Sequence, residues 1–201
     1  MSNILDAMNE GSKYPNSYYD ATEYIRFVPG HLYPANAVDV KIKEVDVRKK
    51  YKALVYNATF EIADACKDLT FMGPNNTEIN GSSFVGRKVR AIGVFQFLVP
   101  EEGDTFQPNH SGNERYFNFC DALGVDCPTT TIKIDGKDKE VRTIPTLSKD
   151  DILGKPVKLY LDNHVYKDYK TGDNKTTVMA KGFSPWVDGS KRDLAVEDLP
   201  F

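Results

Sequence analysis

Three cysteines in 201 residues, Cys66, Cys120 and Cys127, form no paired framework, and this scarcity fits a reducing cytosol. No apolar run approaches the ~20 residues needed to cross a bilayer. The first residues, Met1-Ser2-Asn3-Ile4-Leu5-Asp6, lack the basic-then-apolar order of a secretion signal. A cytoplasmic protein with no membrane partner is therefore expected. Catalytic signatures are missing as well: there is no Gly-rich phosphate loop, no Gly-x-Ser-x-Gly elbow and no His-Glu-x-x-His. His31, His110 and His164 are scattered, and Cys120 and Cys127 do not have zinc spacing, so both sets read as structural or surface residues. No cofactor, metal or catalytic residue is expected. Aspartates and glutamates spread among loops could assemble a two-metal nuclease, though no spacing singles out such a set. No internal repeat is present.

An excess of positive charge is also lacking: 26 Lys and Arg stand against 29 Asp and Glu, for a net charge of −3. The balance is uneven, because residues 193–201 hold Asp193, Glu197 and Asp198 and no base. The remaining 192 residues are neutral, and a neutral body can bind phosphates if its bases cluster on one face.

Aromatic residues are plentiful, with 11 Tyr and 11 Phe against one Trp. Residues 1–36 read as a polar, Tyr-rich arm in which Pro15, Pro29 and Pro34 disfavour a long helix or central strand. The arm is either an irregular wrap on the body or a contact for DNA or a partner. From Val38 the pattern becomes strand. Val38, Val40 and Ile42 alternate with Asp39, Lys41 and Lys43, then Val45 and Val47 take the other parity, which predicts a bulge or bend. After a basic turn, Leu54, Tyr56, Ala58, Phe60 and Ile62 mark a second strand, and 64–86 reads as loop. A third strand spans 87–99, apolar on both parities in its far half, with Gly93 signalling curvature or close approach. In a helix over about 113–123, Tyr116, Phe119, Cys120 and Leu123 share one face, and Gly124 follows as a cap. Ser148 with Asp151 predicts a single helical turn. Strands at 156–166 and 175–183 close the pattern, joined by a polar tip.

Two curved strands, a third strand, a helix and a final hairpin give an order that resembles the five-stranded OB-fold barrel. That fold binds oligonucleotides on its strand 2–3 face and through the loops joining strands 1–2 and 4–5. The chain thus reads as mainly β: arm 1–36, OB-fold domain 37–186 and acidic tail 187–201. The tail ends Glu197-Asp198-Leu199-Pro200-Phe201, apolar side chains beside carboxylates at a position nothing later covers. This tip resembles that of bacterial and phage single-stranded DNA-binding proteins. The resemblance implies a protein that covers single strands without sequence preference in replication, recombination or repair and recruits partner enzymes through those five residues. The acid run is shorter than in the bacterial proteins, their long Gly/Gln-rich linker is missing, and the arm has no counterpart. Together with Gly154-Lys155-Pro156 before the fourth strand, the layout is more similar to phage-encoded forms. Oligomeric state, strand polarity and annealing stay open.

Single-strand binding needs cations along the phosphates and flat rings for the bases. The first hairpin offers Arg48, Lys49, Lys50 and Lys52 around Tyr51, and the last offers Lys167, Lys170 and Lys175 around Tyr166 and Tyr169. Lys41 and Lys43 share a parity, as do Lys88 and Arg90. Tyr56 and Phe95 are candidate stacking platforms, barrel core being the other reading. Two rival readings remain, a non-catalytic virion or assembly barrel and a small nuclease.

Overall fold

The computed structural model describes residues 27–47, 51–97 and 111–192. In chain order the strands are β1 (His31–Val47), β2 (Tyr51–Ile62), β3 (Thr70–Met72), β4 (Glu78–Asn80), β5 (Lys88–Phe97), β6 (Thr129–Ile134), β7 (Lys137–Arg142), β8 (Pro156–Lys167) and β9 (Asn174–Pro185). The helix α1 (Glu114–Ala122) follows β5. Antiparallel pairing makes a five-stranded sheet in the order β5-β2-β1-β8-β9, while β3–β4 and β6–β7 are separate two-stranded hairpins.

The sheet curls without closing. Its edge strands β5 and β9 come close but share no ladder. Helix α1 packs against both, and its first turn satisfies the free backbone there. The Phe97 N–H at the end of β5 donates to Asn113 Oδ1 at 2.7 Å, and Arg115 Nη2 donates to the Ala180 carbonyl of β9 at 3.0 Å. The predicted helical face is the buried one: Tyr116, Phe119, Cys120 and Leu123 all lie in the core. Phe119 meets Phe183 at 4.9 Å, and Tyr116 meets Tyr56 at 5.2 Å. With Val40, Phe60, Val94, Leu159 and Leu161 these rings form the interior, each side chain stabilising the fold by ~1.5–3 kcal/mol on burial.

The slip predicted between Ile42 and Val45 is absent: the register runs unbroken from Asp39 to Val47 and leaves Val45 and Val47 half-buried on the face of Lys41 and Lys43, and the bulge in β1 lies at Val38 instead. Val38 is the extra residue between the pairs Ala37–Phe60 and Asp39–Thr59. This bulge turns Val40 inward and sends Asp39, Lys41 and Lys43 to the opposite face. A second bulge places Ile92 and Gly93 opposite Asn57. Gly93 has φ +75°, and a Cβ there would stand 3.0 Å from the Phe95 ring, so this bend needs glycine.

Several boundaries move. Residues 27–36 belong to the body rather than to an arm: β1 starts at His31, and Phe27, Val28 and Tyr33 are buried. Tyr33 stacks on Phe71 at 4.4 Å, and its hydroxyl donates to the Val28 carbonyl at 3.0 Å. Pro34 is tolerated because β2 ends at Ile62, opposite Ala35, so no β1–β2 ladder bond needs its missing N–H. The stretch 64–86 carries the β3–β4 hairpin between short 3₁₀ turns, and Phe71 and Phe84 from it complete the aromatic cluster around Tyr33. At the other end, 187–192 is exposed along much of its length but tied to the body through Ser190 and Arg192. The Arg192 N–H donates to the Gly154 carbonyl at 2.9 Å, its guanidinium pairs with Glu61 at 2.5 Å, and Asn36 donates to the Ser190 carbonyl. The single turn at Ser148 forms as expected, with reciprocal bonds between Ser148 and Asp151.

Candidate nucleic-acid interface

Residues directly opposite in an antiparallel pair project from the same face. Three rows therefore run across β1, β2 and β5 on the face away from the core: Lys43–Val55–Phe95, Lys41–Asn57 and Asp39–Thr59–Arg90. Phe97, opposite Ala53, extends this face by one more row. Lys41, Lys43 and Arg90 are exposed. Among the described residues none of the three is in an ion pair. Asp39, Lys41, Asn57, Ala58, Thr59 and Arg90 line a cleft of about 320 Å³. Beside it the rings of Phe95 and Phe97, both half-buried, stack at 5.9 Å with an interplanar angle of 22°.

The far half of β5 is thus covered on one face only. Val94 and Gln96 are buried, and the opposite parity leaves Phe95 and Phe97 partly open. The apolar run at 87–99 hid this, because Gln96 alone marks the core parity as polar. Its side chain is paid for by partners, accepting from the Tyr56 hydroxyl at 3.0 Å and donating to Thr146 Oγ1 at 3.1 Å. Sequence reasoning missed Phe97; its two-residue spacing from Phe95 was the signal. Tyr56 is not a stacking platform. It is fully buried, and burial raises the pKa of its hydroxyl, which also accepts from Tyr116. Nothing flat of Tyr56 reaches solvent.

The other predicted cations divide. Lys52 pairs with Glu44 at 3.3 Å, and Lys88 lies 3.9 Å from Glu61, which also holds Arg192. Tyr51 opens β2 opposite Val47. Arg48, Lys49 and Lys50 lie outside the described residues, as do Glu197, Asp198, Leu199, Pro200 and Phe201. At the β8–β9 tip, Lys175 is ion-paired to Asp168, whose carboxyl is held below the usual carboxylate range by that ammonium and by the Lys170 N–H. Tyr166 sits opposite Lys175 and stacks on His164, while Tyr169 is 90% exposed with the Lys170 ammonium 5.7 Å from its ring centre. Lys167 is exposed opposite Asn174. In the sheet order β1 separates this hairpin from β2 and β5, so the predicted cations occupy two regions.

The three thiols are buried; burial pushes Cys66 up to about 11 and Cys120 up to about 12, which keeps both protonated. Among the described residues no group of three or more His, Cys, Asp or Glu is placed to hold a metal ion, and no helix is long and apolar enough to cross a membrane. Compared with protein-family models, with curated proteins and with solved structures, this chain has no match.

Proposed function

We propose that this protein binds single-stranded DNA on the solvent face of β1, β2 and β5, covering strands exposed during replication, recombination or repair. One observation carries the reading: three cations without ion-pair partners among the described residues, Lys41, Lys43 and Arg90, share that face with the stacked, half-open rings of Phe95 and Phe97. Cations at intervals hold phosphates, and open ring faces stack bases of any identity. The strand order and the place of the helix after β5 support an OB-fold, which is itself a partly open barrel with its oligonucleotide face on the second and third strands. The basic turn at 48–50 and the β8–β9 tip then correspond to the two loops that flank that face.

The resemblance of Glu197–Asp198–Leu199–Pro200–Phe201 to the recruiting tip of phage and bacterial proteins adds capture of partner enzymes to this reading. In a pocket, Leu199 and Phe201 would each contribute ~1.5–3 kcal/mol from burial. Removing residues 199–201 is expected to leave DNA affinity intact while abolishing partner capture.

The deciding experiment is a fluorescence titration of labelled oligo-dT at two salt concentrations. Binding whose log affinity falls with log salt by ~0.7 per neutralised phosphate is expected. The absence of salt-sensitive binding at micromolar protein would overturn the proposal in favour of an assembly protein.

A further inference from the structure

The cleft between β1, β2 and β5 holds one group that phosphate binding does not explain. Asp39 stands in the same cross-strand row as Thr59 and Arg90, and a carboxylate repels the phosphates that Lys41 and Arg90 attract. Its Oδ1 is buried and accepts no hydrogen bond. Buried acceptors are almost always satisfied, so an orphan on a residue that lines a polar cleft points to a donor brought by a ligand, which the carboxylate meets by turning toward the cleft as the ligand enters. Resting on the single-strand reading above, we infer that this cleft takes one base edge-on and that Asp39 selects guanine.

The chemistry narrows the base to one. An ionised carboxylate only accepts, and it is matched best by two parallel N–H groups. Guanine alone presents such a pair, N1–H beside the N2 amino group. The same ring then turns O6 and N7 outward as acceptors, the atoms that Arg and Lys engage when they read guanine. Arg90 and Lys41 line the same cleft and supply those donors. Thymine would offer one N–H flanked by two carbonyls, and those carbonyls would face the carboxylate. Cytosine and adenine each bring a single amino group. Asn57 and Thr59, which can donate or accept, complete the lining without favouring either class. The cleft, at about 320 Å³, is at the small end of ligand sites, which suits one base rather than several. A base entering beside Phe95 and Phe97 is continuous with the stack those rings would support. The protein would bind every single strand, and hold best where a guanine falls in register.

The test compares three labelled 15-mers at one salt concentration: oligo-dT, the same strand with one central guanine, and the same strand with inosine there. Inosine keeps O6 and N7 and loses only the N2 amino group. The wild-type protein is expected to bind the guanine strand about tenfold more tightly than oligo-dT, with inosine between. Asp39→Asn is close in shape; it should erase the preference, so that the guanine, inosine and oligo-dT strands bind alike. A wild-type protein that binds all three strands equally overturns the inference and leaves the single-strand reading standing, and so does an Asp39→Asn variant that keeps its preference. Failure to bind any of the three overturns both.

Discussion

Two regions of this molecule have nearly the same composition and differ in how their charges and rings are engaged. The β8–β9 tip gathers Lys167, Lys170 and Lys175 around tyrosines, and the solvent face of β1–β2–β5 gathers Lys41, Lys43 and Arg90 around phenylalanines. At the tip Lys175 is tied to Asp168, and Tyr169, 90% exposed, has the Lys170 ammonium beside its ring. On the sheet face the three cations are without ion-pair partners among the described residues, and the two rings already stack on one another. Counting lysines beside aromatics ranks the regions equally. What separates them is whether a charge is already neutralised and whether a ring is preorganised to receive a base.

The largest effect expected comes from the residue that belongs to neither region. Tyr56→Ala should lower unfolding free energy by ~3–5 kcal/mol in urea denaturation, as for other large core truncations. Tyr56→Phe keeps the packing and removes the hydroxyl bond to Gln96, for a loss of about 1 kcal/mol, with oligo-dT affinity unchanged. Weaker oligo-dT binding by a folded Tyr56→Phe protein would reopen Tyr56 as part of the interface. Next, Phe95→Ala and Phe97→Ala should each weaken oligo-dT binding by ~1–3 kcal/mol. Tyr169→Ala should weaken it less, since that ring must first be ordered. Equal losses at all three positions in a binding titration would erase the distinction drawn between the regions.

Much of this architecture was legible. The period-two pattern predicts the five long strands, and the spacing Tyr116, Phe119, Cys120, Leu123 predicts the buried face of α1. The β6–β7 hairpin also has a local signature. Asp135-Gly136 is a two-residue turn between strand-like runs, and both residues have positive φ, 53° and 74°, as the tight hairpin turn requires. The ends of the body were less legible. Residues 27–36, broken by Pro29, Gly30 and Pro34, and the polar 187–192 look irregular, yet Asn36 and Arg192 anchor them through partners up to 154 residues away, a relation no local pattern carries. The site was half legible for the same reason. Parity groups Lys41 with Lys43, but only the bulge at Val38 decides which face they take, and only the fold shows that Glu61 claims Lys88 while Arg90 stands apart from it.

Charge substitutions should resolve the regions further. Lys41→Gln and Arg90→Gln should each make the salt slope of oligo-dT binding shallower by ~0.7. Lys175→Gln should leave it unchanged, because that ammonium is already paired. The reverse variant is more telling. Asp168→Asn frees Lys175 and should steepen the slope by up to ~0.7 if the tip lies on the path of the strand. An unaltered slope in Asp168→Asn would restrict the interface to the sheet face.

The smallest effect concerns the tip's own stability in acid. The Asp168 carboxyl is held below its ordinary value of 3.8 by the Lys175 ammonium, then by the Lys170 N–H, which donates to Oδ1 at 2.8 Å. A carboxylate with a lowered folded-state value stabilises the fold above its unfolded value, and that contribution is lost as pH falls through the folded one. The hairpin should therefore hold its neutral-pH form down to about pH 4 and loosen only below it. In an NMR titration of the Asp168 side-chain carboxyl, the wild-type midpoint should lie below 3.8, and Lys175→Gln should move it upward toward that value. If the midpoint stays put in Lys175→Gln, the ammonium is not what holds the carboxylate. Lys175 would then be as available to phosphate as Lys41, and the contrast between the two regions would rest on their rings alone.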